Sequence, residues 1–405
     1  MELEPKTSQH NYAALLWHAS FLAFAKNFID VDTIIPAMVV QSGGNAIHIG
    51  IITAIMMGGS KVTQLFFAPW ISNYEFKKPF LNMGIGARIA ALLFLSLILF
   101  FPEFLRGNIL LAGIYLTITV FSVGGAFANI SYTDILGKSM LAETRKRFFT
   151  IRQAISGIAV LSSLAVVAFI MDRFSYPENY GNMFLAGFIG LSIAFLGFWQ
   201  LRENIPSRLS IKNIDEFTRM VRLEIKENKR LVHFLGFINT QGLGISILPF
   251  VYLYAENQYN MGGTETANFL IFKMVGNLLM GFLLFYLAKN LKYQYLLYLT
   301  TGLALLVPWM IFLHGFAWVY SSFFVGGVVL CIYSITMSGI LLEVSGTGNR
   351  ALYTGIAGAG NLLPAIFPLV GGAIIQWVGF QAFFVIYSIL MLSSIYFIYN
   401  IHCEK

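Results

Sequence analysis

Residues Asn11–Val40 read NYAALLWHASFLAFAKNFIDVDTIIPAMVV. This stretch of about thirty mostly apolar residues exceeds the roughly 20 that an α-helix needs to cross a bilayer core. Yet it carries Lys26, Asp30 and Asp32. A charge at bilayer depth costs about 3 kcal/mol or more, so such residues turn toward a wet cavity or a partner and mark a function. The spacing predicts one long tilted helix in which Lys26 and Asp30, four residues apart, share a face and pair. Asp32 lies about 200° around that helix from Asp30.

The rest of the chain has the same character. Of its 405 residues 57% are hydrophobic and 11% charged, against about 25% charged in soluble domains. The net charge of +7 is distributed loop by loop, a mark of membrane topology rather than of nucleic-acid binding. Cys331 sits in an apolar segment and Cys403 near the C-terminus, which suggests neither a disulfide nor a metal site. The first apolar run is too long for a cleaved signal peptide and lacks a small-residue cleavage site, so it is expected to remain in the mature chain.

Apolar runs separated by short breaks give twelve spans, an all-α polytopic membrane protein. Nineteen of the 26 Lys and Arg residues fall in alternate breaks or at the termini on one side. Arg106 and Arg173 lie on the other, and Lys26, Lys61, Arg88, Arg152 and Lys273 within spans. Positive charge is retained in cytoplasmic loops, which places both termini in the cytoplasm. Arg88, on a span expected at the periphery, is predicted to snorkel to the cytoplasmic face.

The longest polar break, 202–230, separates an N-terminal six-helix bundle, 1–201, from a C-terminal one, 231–405. Within it Ile211, Ile214, Phe217, Val221 and Ile225 recur at helical spacing, with Asn213 and Glu216 placed as N-cap and N3 residues. An amphipathic helix lying on the cytoplasmic membrane face is expected. The halves repeat each other in order. Ile34-Ile-Pro36 matches Ile247-Leu-Pro249, and Asn73–Lys77 is echoed by Asn290–Gln294. Phe121-Ser-Val-Gly-Gly125 matches Phe323-Phe-Val-Gly-Gly327, and Arg147 matches Arg350. Duplicated six-helix bundles are a transporter architecture.

With twelve spans, a long basic central loop and a two-fold repeat, the whole chain resembles the major facilitator superfamily, and in its loops a poorly characterised bacterial branch. The loop Pro69–Lys78 keeps that family's basic pair, Lys77 and Lys78, with Asn73 where an Asp is usual and Phe76 replacing a Gly. No proline occurs between Phe148 and Met171 and no arginine between Asn108 and Ile135, unlike drug/proton antiporters of the family. The resemblance implies a secondary active transporter in the bacterial inner membrane. It would work by alternating access, as a monomer, with a small-molecule substrate, protons as a candidate coupling ion and the lipid bilayer as its surroundings.

Candidate residues follow from polarity at span depth. Lys26, Asn27, Asp30, Asp32, Lys61, Gln64, Asn239, Gln241, Lys273 and Asn361 are candidates for substrate binding or coupling. Three lysines against two aspartates suit a polar or anionic solute, and Asp30, with Asp32 as a second choice, is the proton-coupling candidate. For single Asn and Gln residues, interhelical packing is the competing role. Asp134, Lys138, Arg147, Arg152, Glu343 and Arg350 are expected to form a cytoplasmic gate of ion pairs between bundles, with solvated interfacial charge as the alternative. Gly355-Ile-Ala-Gly-Ala-Gly360 has the spacing of a dinucleotide fingerprint but no preceding strand, so it is assigned to helix packing. The sequence holds no metal motif, nucleophile elbow or phosphate loop; no enzyme activity, metal or cofactor is expected. Competing readings are a non-transporting receptor or scaffold of the same fold, and multidrug or lipid efflux.

Overall fold

The computed structural model describes residues 3–101, 107–207, 214–287, 292–345, 353, 356–358 and 360–401. Among them there is no strand. Among the described residues eleven helices are long and apolar enough to cross a membrane. Their ends fall in the breaks read from the sequence; at two of these, glycines with left-handed backbone, Gly43 (φ +88°) and Gly379 (φ +110°), carry the reversal.

The first span is not among the eleven, and here the expectation of one continuous helix fails. Helix α1 (Pro5–Lys26) gives way to a single 3-10 turn at Asn27–Ile29. Asp30 is extended (φ −66°, ψ 126°), and α2 (Ile34–Gln41) starts only after Thr33. Pro36 falls in the first turn of α2, where its missing N–H leaves no bond unmade. The seventh span breaks at the matching place. There α9 (Lys229–Thr240) runs into a 3-10 segment at Gln241–Ile245 before α10 (Leu248–Tyr259), with Pro249 again in the first turn.

The remaining helices are α3 (Ala46–Ser72), α4 (Lys78–Phe100), α5 (Asn108–Ser139), α6 (Ala142–Arg173), α7 (Glu178–Gln200), α8 (Ile214–Glu227), α11 (Gly263–Leu287), α12 (Tyr293–Met310) and α13 (Phe316–Ser345). The last two are α14 (Leu363–Trp377) and α15 (Phe380–Ile401).

The chain forms two compact units. The first comprises Met1–Asp30 and Gly59–Ile214, the second Val31–Gly58 and Asp215–Lys405. The boundary in span one falls in the break, between Asp30 and Val31. Within the first unit α1 packs on α6 and α7, and α4 on α5 and α7. A Cβ at Gly84 would lie 2.6 Å from the Gly124 carbonyl oxygen, so α4 and α5 meet backbone to backbone. Within the second unit α11 and α13 meet in the same way, because a Cβ at Gly327 would run into the Lys273 carbonyl and one at Gly276 into that of Phe324. The front half of α3 is similarly close to α14, where a Cβ at Gly50 would overlap the Pro368 carbonyl.

The linker helix α8 forms, although its expected N-cap, Asn213, and Ile211 lie outside the described residues. It does more than lie along an interface. Val221 packs against the core cluster of the second unit around Leu231, Phe234 and Tyr353. The Tyr353 hydroxyl donates to Glu224 at 2.7 Å and accepts from Asn228 Nδ2 at 2.8 Å. Burial and the adjacent carboxylate push the Tyr353 phenol above its usual range, which keeps it a donor.

Candidate functional site

The two units hold their mid-span charges differently. In the second unit the turn after Asp30 presents Asp32, and α11 presents Lys273. Lys273 Nζ donates to Asp32 Oδ2 at 2.8 Å, with both side chains almost fully buried, at 3% and 4% exposure. Here α11 crosses α13 backbone to backbone, with Gly327 against the Lys273 carbonyl. Phe269 stacks on Phe323 at 4.7 Å beside it. A lysine in such a place is tolerable because its charge is paired at hydrogen-bond distance.

The other candidates of this unit are held in helix-to-helix bonds. Asn239 Oδ1 accepts from the Leu362 and Leu363 amides at 3.1 and 2.8 Å, while its Nδ2 donates to the Leu235 and Gly360 carbonyls at 2.8 and 2.7 Å. It thus caps the start of α14, where helix amides lack intrahelical partners. Gln241 Nε2 donates to Leu297 O and Thr301 Oγ1, both at 2.8 Å. Asn361 is buried and bonds the Tyr333 side chain. These three build the break in span seven.

In the first unit the expected Lys26–Asp30 pair is not formed. The helix stops at Lys26, so the two residues no longer stand one turn apart on a common face. Asp30 is buried and Lys26 is exposed. Asn27 is buried and donates to Ser163 Oγ at 2.7 Å, tying the break to α6. Lys61 and Gln64, one turn apart on α3, are both half-buried.

What stands near Lys26 is positive. Arg88 and Arg152 are close enough for their charges to repel it, and all three act on His18. No carboxylate among the described residues forms a salt bridge with Lys26, Arg88 or Arg152. Arg88 corrects the snorkelling expectation. Its guanidinium lies 4.1 Å from the centroid of the Phe121 ring, and its Nε is buried without a partner among the described residues. The bare α4–α5 crossing allows this, since a Cβ at Gly124 would lie 3.0 Å from Arg88 Cγ. His18 is buried, stacked on Phe198 at 3.5 Å, and its Nδ1 donates to Ala194 O at 3.1 Å.

The expected gate residues fall into three groups. Asp134 pairs with Lys77 at 3.4 Å and Lys138 at 2.9 Å, and Lys138 also reaches Glu203 at 2.8 Å, all within the first unit. Glu343 faces Arg230 at 3.7 Å within the second. Arg147 is exposed, Arg152 belongs with Lys26 and Arg88, and Arg350 lies outside the described residues. Sequence reasoning missed Glu203 and Ser207. Glu203 accepts from the Lys77 and Lys78 amides at 2.8 and 2.7 Å, capping α4 from 125 residues away, and Ser207 donates to Asp134 at 2.7 Å. Orphan amides beside Pro79 are the signal that a remote cap was needed.

Long apolar helices with ionisable residues at mid-span, and first helices of both halves broken beside them, define a multi-pass integral membrane protein. The chain belongs to the major facilitator superfamily, a family of secondary transporters, whose model matches residues 16–363. No curated protein matches it by sequence. Similar solved structures include the xylose transporter XylE from E. coli in an inward-open conformation, 12% identical over 97% of this chain and 96% of that one, TM-score 0.68. A POT family transporter in complex with a thioalcohol-conjugated peptide is 12% identical over 96% and 95%, TM-score 0.68. The nucleoside transporter NupG is 14% identical over 97% and 100%, TM-score 0.64.

Proposed function

We propose that the protein is a secondary active transporter that moves a small polar or anionic solute by alternating access, coupled to protons through Asp32 and Lys273. The observation that carries this reading is the buried 2.8 Å Asp32–Lys273 bond. A proton delivered to Asp32 removes the charge that holds Lys273, and a desolvated ammonium then needs a new counter-charge. Two packings of one helix break, exchanged by one proton, are the kind of bistable element that couples an ion to a conformational change. Asp32 takes the coupling role first expected of Asp30, while Lys26, Asn27, Lys61 and Gln64 stay on the substrate side. The similar structures are described as carrying xylose, nucleosides or peptides, a range consistent with a polar solute. The resemblance implies a monomer in the lipid bilayer of a bacterial cytoplasmic membrane, and the distribution of lysine and arginine supports both termini inside.

Proteoliposome flux with and without an imposed pH gradient tests this. Gradient-driven uptake that is abolished by Asp32→Asn, with solute counterflow retained, is expected. Uptake indifferent to the gradient overturns the coupling, and a folded preparation that moves no member of a panel of sugars, amino acids, nucleosides and organic anions overturns transport.

A further inference from the structure

We infer that Lys26, Arg88 and Arg152 form an oxyanion-binding site inside the first unit, and that the solute carries a phosphate or carboxylate group; this rests on the transport reading above. The argument begins with depth. Asn11 bonds Ser139 O and the Arg202 backbone at the end of the unit where α1 begins, and Lys78 Nζ bonds the Trp199 and Leu201 carbonyls at that same end. Rising 1.5 Å per residue, Lys26 stands about 22 Å above Asn11, while Arg88 and Arg152 stand about 15 Å above Lys78 and Ala142. Side chains on a helix lean toward its N-terminus, and all three helices start at this end, so Lys26 leans down toward the level of the two arginines. That level is near the middle of a hydrocarbon core about 30 Å thick.

Chemistry comes next. Arg88 and Arg152 each repel Lys26 there, and no salt bridge to a carboxylate is found for any of the three among the described residues. Arg88 is held by the Phe121 ring face, which orients a guanidinium without neutralising it. Its Nε is buried and has no acceptor among the described residues. A planar fork of donors beside a second guanidinium and an ammonium is the donor set that a tetrahedral or carboxylate oxyanion fills. Of the three, Lys26 is exposed.

The test is thermal stabilisation of the full-length protein in neutral detergent, with inorganic phosphate, succinate, glucose and spermidine as probes and phosphatidylglycerol as a separate arm. Phosphate or succinate is expected to raise Tm, with glucose and spermidine silent. The midpoint concentration should rise at least tenfold in Arg88→Gln and in Arg152→Gln, and less in Arg88→Lys. Variants that elute as wild type on size exclusion are the ones compared, and Lys26→Gln is the reserve should an arginine variant not fold. A shift with phosphatidylglycerol alone assigns the site to a lipid headgroup and overturns the solute claim. Shifts that survive all three neutralisations, or no shift with either anion, overturn the site. If liposomes move only a neutral solute, transport stands and this site fails. If anions bind but no solute crosses, the site stands and transport fails.

Discussion

The two units hold their mid-span charges in opposite ways. In the second, one lysine meets one aspartate at 2.8 Å in a nearly closed setting. In the first, Arg88 and Arg152 both act on Lys26, and none of these three cations has a salt bridge among the described residues. A paired charge completes the protein, whereas an unpaired cluster calls for something from outside. In the transport reading proposed above, ion coupling falls to the unit whose charge is already balanced and the solute to the unit whose charge is not.

The largest effect that could break this contrast is expected at Asp32. Asp32→Asn strands a buried ammonium and should destabilise the protein by about 3–5 kcal/mol, read as a lower Tm in detergent. Adding Lys273→Met should recover most of that loss, since removing both partners leaves no uncompensated charge, while uptake stays uncoupled. If the double variant is as unstable as the single, the pair is not the element that separates the units.

How far the sequence discloses this arrangement depends on the distance over which each interaction acts. The spans, the repeat and the membrane setting are legible because they depend on composition and on periods of a few residues. Pro36 and Pro249 mark the two helix breaks, yet Pro36 is equally compatible with an unbroken helix read from hydrophobicity alone. The pairing of Lys26 with Asp30 follows from ideal helical spacing and fails because the helix ends at Lys26. Its replacement, Asp32 with Lys273, joins residues 241 positions apart, and no local pattern announces such a bond. Arg88 reads as a lipid-facing arginine. Only the glycine crossing of α4 and α5, which lets it lie over Phe121, turns it inward.

The repeat supplies a second, smaller test. Gly125 and Gly327 occupy matching positions of the Phe-x-Val-Gly-Gly motif, but a Cβ at Gly125 would meet nothing within 4 Å, whereas one at Gly327 would overlap the Lys273 carbonyl. Gly327→Ala should therefore push α13 off α11 and cost about 1–3 kcal/mol by overpacking, loosening the Asp32–Lys273 bond and blunting the response of uptake to a pH gradient. Gly125→Ala should be neutral or slightly stabilising, by up to about 1 kcal/mol from helix propensity. Equal losses at both positions would mean that the two halves pack alike here, and the contrast would rest on charge alone.

The smallest effect carries the clearest sign. Removing a buried partner weakens a protein, but removing one member of a like-charge cluster relieves it. Because Lys26 is exposed rather than locked in the core, its repulsion from Arg88 and Arg152 is discounted, and Lys26→Met should stabilise the protein without solute by less than about 1 kcal/mol. With saturating phosphate or succinate the order reverses, because the wild type gains the binding energy and the variant gains less of it. A Tm series against anion concentration would then show the two proteins crossing. Only a charge kept for a ligand is unfavourable in its absence and favourable in its presence; a lysine that merely steadies the fold would lower Tm under both conditions when removed.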